Sequence, residues 1–173
     1  MRGINWRAFI LGLALGAPLA AAATAKAEIR GTSTEPVVSG AASFSDSRDG
    51  LKVSVKITQA PPGVHGFHIH EFGGCDDLGK AAGSHYNPDN VKHGFLLKDG
   101  MEGAHAGDFG NIEIDASGTG TLELTLPKLT VAGPEYGVAG RAVILHEHPD
   151  DYSQPTGNAG GRIGCGPILI TEH

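Results

Sequence analysis

Residues 51–58 read LKVSVKIT, and apolar and polar side chains alternate through this stretch without a break. Because successive side chains of a β-strand point to opposite faces, the alternation predicts a strand with one buried face. Residues 111–115 (NIEID) and 121–126 (TLELTL) show the same period of two. The chain is therefore expected to build on short strands that each bury one side.

Turn signals connect these strands to their neighbours. The dipeptide Asp49-Gly50 joins residues 51–58 to an earlier strand at 37–44, and residues 117–120 (SGTG) join the two later strands. Further strands are expected at residues 66–71, 141–145 and 163–170. No stretch keeps a helical period over several turns. This pattern predicts an all-β fold, an antiparallel sandwich or barrel of about eight strands.

Two long stretches depart from the alternation, residues 72–110 and 146–162. Both are rich in Gly, Asp, Asn and His. Loops of this length in a small domain are usually functional or disordered, and their histidines favour a function.

The N-terminus has the pattern of a secretory signal peptide. Basic residues precede an apolar run at 8–23, and small residues follow at Ala25 and Ala27. A membrane anchor is the alternative, but Pro18 interrupts the run, which is short for a bilayer span of about 20 residues. We expect cleavage after Ala27, or a few residues earlier. Residues 1–27 would be the signal and 28–173 a single domain in the periplasm, with secretion as the alternative.

Charge excludes one class of partner. The predicted signal carries three of the 13 basic residues and none of the 19 acidic ones, so the remaining chain has a formal charge of −9. An acidic domain is a poor match for nucleic acid. We expect no nucleic-acid partner and no stable membrane anchor after cleavage, and the sequence is compatible with a monomer or a homodimer.

The chain has two cysteines, Cys75 and Cys165. In an oxidising compartment an even number of cysteines favours a disulfide. Free thiols or metal ligation are the alternatives.

Histidines with metal-ligand spacing dominate the two long stretches. His68 and His70 lie two residues apart on a predicted strand, so both side chains point to one face. Nitrogen donors held in this way suit Cu(II). The remaining candidate ligands are His85, His93, His105, Asp108 and His146. Histidine with a carboxylate is a common zinc set, so the residues predict a metal site.

Five blocks of sequence carry a more specific signal. They are GFHIHEFG at 66–73, SHYNP at 84–88 with His93-Gly94, AHAGDFGN at 104–111, GRAVILHE at 140–147, and GNAGGR at 157–162 with Cys165-Gly166. Together they resemble the Cu/Zn superoxide dismutase family, in its exported bacterial form, over about residues 39–170. The resemblance implies a Greek-key β-barrel with two long functional loops.

The resemblance also implies one copper ion and one zinc ion per subunit. The implied copper ligands are His68, His70, His85 and His146. The implied zinc ligands are His85, His93, His105 and Asp108. His85 appears in both sets because the family bridges its metals with one imidazolate, whose proton two cations displace.

Further roles follow from the same likeness. Asp150 matches a carboxylate that links a copper histidine to a zinc histidine, here His68 and His93. Such a carboxylate fixes ring orientation. Cys75 and Cys165 match the family disulfide, which would join the first long loop to the last strand.

Arg162 matches an arginine beside the copper, where a guanidinium can hydrogen-bond a small anion. Eukaryotic members usually carry a lysine before the TGNAG run, but Pro155 stands there in this chain. Lys80, which follows Cys75, is the candidate replacement for attracting the anion.

The implied activity is dismutation of superoxide to oxygen and hydrogen peroxide outside the cytoplasm, with copper cycling between Cu(II) and Cu(I) and with Arg162 and His85 as catalytic residues. The alternative is an exported copper- and zinc-binding protein, a buffer or carrier, without turnover. A zinc hydrolase would need an open zinc position, and the chain has no His-Glu-x-x-His motif.

Overall fold

The computed structural model describes residues 22–172 of the chain. This range contains nine strands: β1 (Thr24–Gly31), β2 (Ser39–Ser47), β3 (Gly50–Gln59), β4 (Gly63–His70), β5 (Asp108–Ile114), β6 (Gly120–Leu126), β7 (Ala142–His146), β8 (Arg162–Pro167) and β9 (Leu169–Glu172). A 3₁₀ turn (Lys80–Ala82) and one α-helix, α1 (Leu96–Gly103), lie between β4 and β5. None of the helices within the described range is long and apolar enough to cross a membrane.

Eight strands form one antiparallel sheet in the order β5-β4-β7-β8-β1-β2-β3-β6, and β9 pairs with β1. Strands β5 and β6 stand at opposite ends of this order, yet a tight turn joins them, in which the Asp115 N–H donates to the Thr119 carbonyl at 2.8 Å. The turn brings the two edges of the sheet together, so the barrel is nearly closed. The prediction of an all-β fold of about eight antiparallel strands is confirmed.

The core follows the alternation that predicts the strands. On β3, Leu51, Val53, Val55 and Ile57 are at most 1% exposed, and the polar residues between them point outward. Each such side chain contributes about 1.5–3 kcal/mol when it is fully buried. The inner face of the barrel is therefore the main source of stability.

The helix α1 is not predicted by the periodicity of the sequence. Gly100 interrupts it with non-helical backbone angles (φ 68°, ψ −179°), so its turns do not form one continuous helix. Leu96 and Met101 are its buried residues. Two separate turns with one apolar anchor each are too short to produce a sustained helical period.

Strand β1 begins before the predicted cleavage position. Ala25 and Ala27 are 1% exposed in the core, and β1 pairs with β2 from Thr24 onward. Residues 1–21, most of the predicted signal, lie outside the described residues. Cleavage therefore stays a prediction, but residues 24–27 are part of the barrel.

Both long loops return to the outer side of β4. In the loop after β4, the Gly107 carbonyl accepts a hydrogen bond from the Ile69 N–H at 2.9 Å. In the loop after β7, the His148 carbonyl accepts one from the Gly66 N–H at 2.9 Å. Because both loops are tied to the same strand, the residues that they carry meet over it.

Candidate metal centre

Strand β4 carries two histidines on the face turned away from the barrel core. Phe67 and Ile69 belong to the core, and alternation along the strand places His68 and His70 on the other face. Their exposed fractions are nevertheless only 0% and 1%. The long loops therefore bury two imidazoles side by side.

His146 and His85 join these two rings. Strand β7 lies beside β4, with Ile144 opposite His68, and ends at His146. His85, from the loop after β4, forms an isolated β-bridge with His70. The centroid of the His85 ring lies 4.2 Å from that of His68, 4.9 Å from His70 and 5.9 Å from His146. Four imidazoles thus converge.

A second group adjoins on the other side of His85. His93 and His105 come from the same loop, with ring centroids 5.3 and 5.6 Å from that of His85. Asp108, at the start of β5, is fully buried. Its Oδ1 lies 2.9 Å from Nδ1 of His85 and 3.1 Å from Nδ1 of His105, and its Oδ2 lies 2.9 Å from Nδ1 of His93.

The two groups share one ring. In each group the potential ligand atoms all lie within 4.8 Å of one another. The first group is His68, His70, His85 and His146, and the second is His85, His93, His105 and Asp108. Because Nδ1 of His85 lies beside Asp108, its Nε2 remains for the first group. The structure thus brings together both ligand sets that the resemblance implies.

The donor atoms fit copper and zinc. Within residues 22–172, the buried side-chain atoms without a hydrogen-bond partner are Nδ1 of His68, His93 and His146. The Nδ1 of His93 lies 2.9 Å from Oδ2 of Asp108 but is not aligned for a hydrogen bond. A buried polar atom left unpaired costs about 1–3 kcal/mol, and a metal ion would satisfy it. Four imidazole nitrogens suit copper, while three nitrogens and a carboxylate oxygen suit zinc.

Burial keeps three imidazoles of the first group, those of His70, His85 and His146, neutral. Burial, followed by the charge of His85, lowers the pKa of His70 to about 2. Burial also lowers the pKa of His85 to about 4, despite its hydrogen bond to Asp108, and holds the pKa of His146 well below its ordinary value. Neutral imidazole is the form that binds a metal, so these rings are available as ligands at neutral pH.

His93, in the second group, has the opposite balance. Burial lowers the pKa of His93, but its contacts with Asp108 and Asp150 outweigh burial and raise that pKa to about 9. Burial alone would raise the pKa of both carboxyls, yet their histidine neighbours hold both values well below the ordinary range. Two buried carboxylates thus place negative charge among the rings, where cations would balance it.

Asp150 links the two groups from the loop after β7. Its Oδ2 accepts a hydrogen bond from Nε2 of His68 at 2.8 Å, and its Oδ1 accepts one from Nε2 of His93 at 2.9 Å. These bonds fix the orientation of both rings and leave Nδ1 of each ring for a metal. Asp150 therefore lies where the resemblance places it.

Asn111, on β5, holds Asp150 in turn. Its Oδ1 accepts a hydrogen bond from the Asp150 N–H at 2.7 Å, and its Nδ2 donates to the Asp150 carbonyl at 2.9 Å. The sequence does not reveal this role. In an alternating strand a polar residue is expected to face solvent, and nothing in the pattern distinguishes Asn111 from such a residue.

His65 is a second residue that the sequence pattern does not single out. It lies on β4 and is 4% exposed. Its Nδ1 is 2.8 Å from the carbonyl oxygen of His146, and its Nε2 is 2.9 Å from that of Pro61. His65 thus supports the main chain of a candidate ligand rather than joining either group.

Arg162 is fixed beside the all-imidazole group. It begins β8 and is paired with His146 in the sheet register. Its Nη1 donates to the Gly79 carbonyl at 2.6 Å, and its Nη2 donates to the Gly83 carbonyl at 2.7 Å. The same Gly83 carbonyl accepts a hydrogen bond from Nδ1 of His70 at 3.0 Å. One carbonyl therefore joins the guanidinium to a candidate ligand.

A disulfide between Cys75 and Cys165 joins the loop after β4 to β8, so the predicted pairing is confirmed. Cys165 packs against a small apolar cluster that includes Ala82, Ala142 and Ile144. The bond thus anchors the loop segment that supplies the acceptors of Arg162.

A groove of about 390 Å³ opens beside Arg162, and Lys80 lies on its wall. Glu35 and Glu147 line the same groove. The lysine is therefore near the guanidinium, but two acids offset the two cations locally.

A nearly closed antiparallel barrel whose outer face carries two groups of candidate metal ligands that share one imidazole has the architecture of a β-barrel metalloprotein with a paired metal centre. The family model described as copper/zinc superoxide dismutase (SODC) matches residues 38–168, and the chain belongs to this family. A solved structure titled "Crystal Structure Analysis of the clock protein EA4" is similar, with a TM-score of 0.75 and 36% sequence identity, over 91% of this chain and 100% of that one.

Proposed function

We propose that this chain binds copper and zinc and dismutates superoxide. The observation that carries the proposal is the sharing of His85 by an all-nitrogen group and a nitrogen-and-carboxylate group. A site for a single metal, or for storage alone, does not require one ring to contact two different donor sets. Membership of the copper/zinc superoxide dismutase family supports the same activity.

The copper ligands in this proposal are His68, His70, His85 and His146. The zinc ligands are His85, His93, His105 and Asp108. Bound copper supplies one-electron chemistry, in which one superoxide loses an electron to become oxygen and a second gains that electron and two protons to become hydrogen peroxide. Zinc has no redox chemistry, so its ligands would hold His85 and the surrounding loop in place.

Arg162 would orient the substrate. The Gly79 and Gly83 carbonyls take two of its five N–H groups, and within residues 22–172 the other three have no acceptor. A guanidinium fixed in this way can hydrogen-bond a small anion without first giving up side-chain freedom.

His85 would hold one of the protons that peroxide formation requires. Its Nδ1 lies beside Asp108 in the zinc set, so with zinc held at Nδ1 the ring could carry a proton at Nε2, which faces the copper set.

Selective removal of copper is the direct test of this function. Superoxide loss should fall to the uncatalysed rate when copper is removed and zinc retained, and it should return when copper is restored. The measurement is superoxide decay together with metal content of the same samples. Equal activity before and after copper removal would defeat the mechanism.

The same experiment tests the second candidate, a copper- and zinc-binding protein without turnover. The similar solved structure is titled as a clock protein, so similarity within this fold does not by itself establish turnover. A chain that binds both metals and leaves superoxide decay unchanged would favour this alternative.

We further propose that Lys80 attracts the anion to the groove beside Arg162. Lys80→Gln should lower kcat/KM for superoxide about twofold to threefold at low ionic strength, and the difference should shrink as salt screens the charge. Lys98→Gln is the matched control, because Lys98 is an exposed lysine on α1 that does not line this groove. A salt dependence identical to that of the unmodified protein would exclude a role for Lys80.

Export also remains a proposal, with one refinement. Cleavage after Ala27 would remove Thr24 to Ala27 from β1, where Ala25 is opposite Phe44 and Ile170. We therefore propose cleavage before Thr24, after the small residues 21–23. The intact mass of the exported protein tests this, and a mature chain that begins at Glu28 would contradict it.

A further inference from the structure

The main chain of the candidate zinc ligand His93 is held by one side chain from the other long loop. The Nε2 of Gln154 donates to the His93 carbonyl at 2.8 Å, and its Oε1 accepts a hydrogen bond from the His93 N–H at 3.2 Å. An uncharged amide supplies both a donor and an acceptor, and only one of its two orientations satisfies both contacts. The two residues are separated by 61 positions.

These two contacts satisfy groups that have no other partner. His93 is only 3% exposed and lies outside every strand and helix. In the described part of the chain, neither its N–H nor its carbonyl forms a main-chain hydrogen bond. Buried backbone groups are rarely left unpaired, because losing such a bond is costly. Gln154 therefore supplies both hydrogen bonds of the His93 main chain within the described residues.

The loop after β7 thus forms hydrogen bonds with both the ring and the main chain of His93. Asp150 accepts a hydrogen bond from its Nε2 at 2.9 Å, and Gln154 pairs with its main chain. The ring nitrogen on the opposite side, Nδ1, lies 2.9 Å from Asp108 in the zinc set. Orienting the ring alone would not fix Nδ1, because the ring moves with its backbone.

Gln154 is presented by a closed turn. The Gly157 N–H donates to the Ser153 carbonyl at 2.8 Å, and the Asp151 N–H donates to the Gly157 carbonyl at 2.9 Å. Nδ2 of Asn158 donates to Asp151 at 3.0 Å and to Ser153 at 2.9 Å. The turn is ordered by its own bonds, so the backbone of Gln154 is fixed and only its side chain loses freedom on binding His93.

We propose that Gln154 is a positioning residue for the zinc site, which fixes the His93 backbone and so couples the loop after β7 to zinc binding. This inference rests on the proposed zinc ligand set. It differs from the role of Asp150, because Gln154 touches neither a ring nor a metal and acts only through the main chain of a ligand.

The test uses Gln154→Met, which keeps the length of the side chain but removes both contacts, and Gln154→Ala. Zinc affinity, measured by competition with a chromophoric chelator, should fall about tenfold in both variants. Copper affinity should change much less, because Gln154 does not contact a residue of the all-imidazole group. In metal-free protein, hydrogen exchange at the His93 amide should accelerate in both variants.

Thr156→Ala is the matched control, since Thr156 is an exposed residue of the same turn whose side chain forms no hydrogen bond within residues 22–172. It should leave zinc affinity and the exchange rate at His93 close to those of the unmodified protein. Unchanged zinc affinity in the Gln154 variants, an equal loss in Thr156→Ala, or equal losses for both metals would overturn the inference. Failure of the unmodified protein to bind zinc would instead refute the proposed function. The exchange rate at His93 in metal-free protein would still test whether Gln154 holds the His93 main chain.

Discussion

Replacing His85 with alanine is expected to weaken the binding of both metals at once. Loss of a hydrogen-bond partner of a metal ligand typically costs 10–100-fold in affinity, so loss of a ligand itself should cost more than about 100-fold at each site. Superoxide dismutation should fall with copper occupancy, and at full copper loading it should fall further, because the proton carrier is gone. The measurements are the separate copper and zinc dissociation constants and the rate at matched copper content.

Two single-group variants give this prediction its controls. His70→Ala removes a ligand from the first group alone, and His105→Ala removes one from the second alone. The first should lower copper affinity and leave zinc affinity nearly unchanged, and the second should do the reverse. If His85→Ala matches only one of these two patterns, His85 serves one metal and the shared-ring assignment is wrong.

The strands could be predicted from the sequence because their cause is local. In residues 51–58 every second side chain is apolar, and the barrel buries these apolar residues. Strand β1 is not predicted from the sequence, because its buried residues include Ala25 and Ala27. Both are small, and both also fit the end of a signal peptide. Alanine contributes too little apolar area to mark a strand by itself.

The candidate ligands could also be anticipated, because six histidines and an aspartate gather in or beside the two long loops, and the family resemblance divides them between copper and zinc. The residues that hold these ligands could not. Asn111 pairs with a residue 39 positions away, Gln154 with one 61 positions away, and His65 with one 81 positions away. Each is a polar residue that could equally well form its hydrogen bonds with water. Only the folded structure shows which polar residues contact the candidate metal centre.

Removing the disulfide, by Cys75→Ala with Cys165→Ala, is expected to lower the free energy of unfolding by about 2–5 kcal/mol, because the bond closes a long loop in the unfolded chain. Alanine is the appropriate substitute, since Cys165 lies in an apolar cluster with Ala82 and Ile144. Urea unfolding of the metal-free and metal-loaded proteins measures the change. A loss below about 1 kcal/mol in both forms would contradict this prediction.

The same double variant should also lose activity at full metal content, for a separate physical reason. Cys75 anchors the segment that carries the Gly79 and Gly83 carbonyls, and Cys165 lies three residues after Arg162 on β8. Without the bond, acceptors and donor are no longer held at a fixed separation, so the guanidinium loses its orientation toward the anion. We expect a lower kcat/KM with unchanged copper and zinc content. If kcat/KM is preserved while stability falls, the carbonyls of the loop hold Arg162 without help from the disulfide.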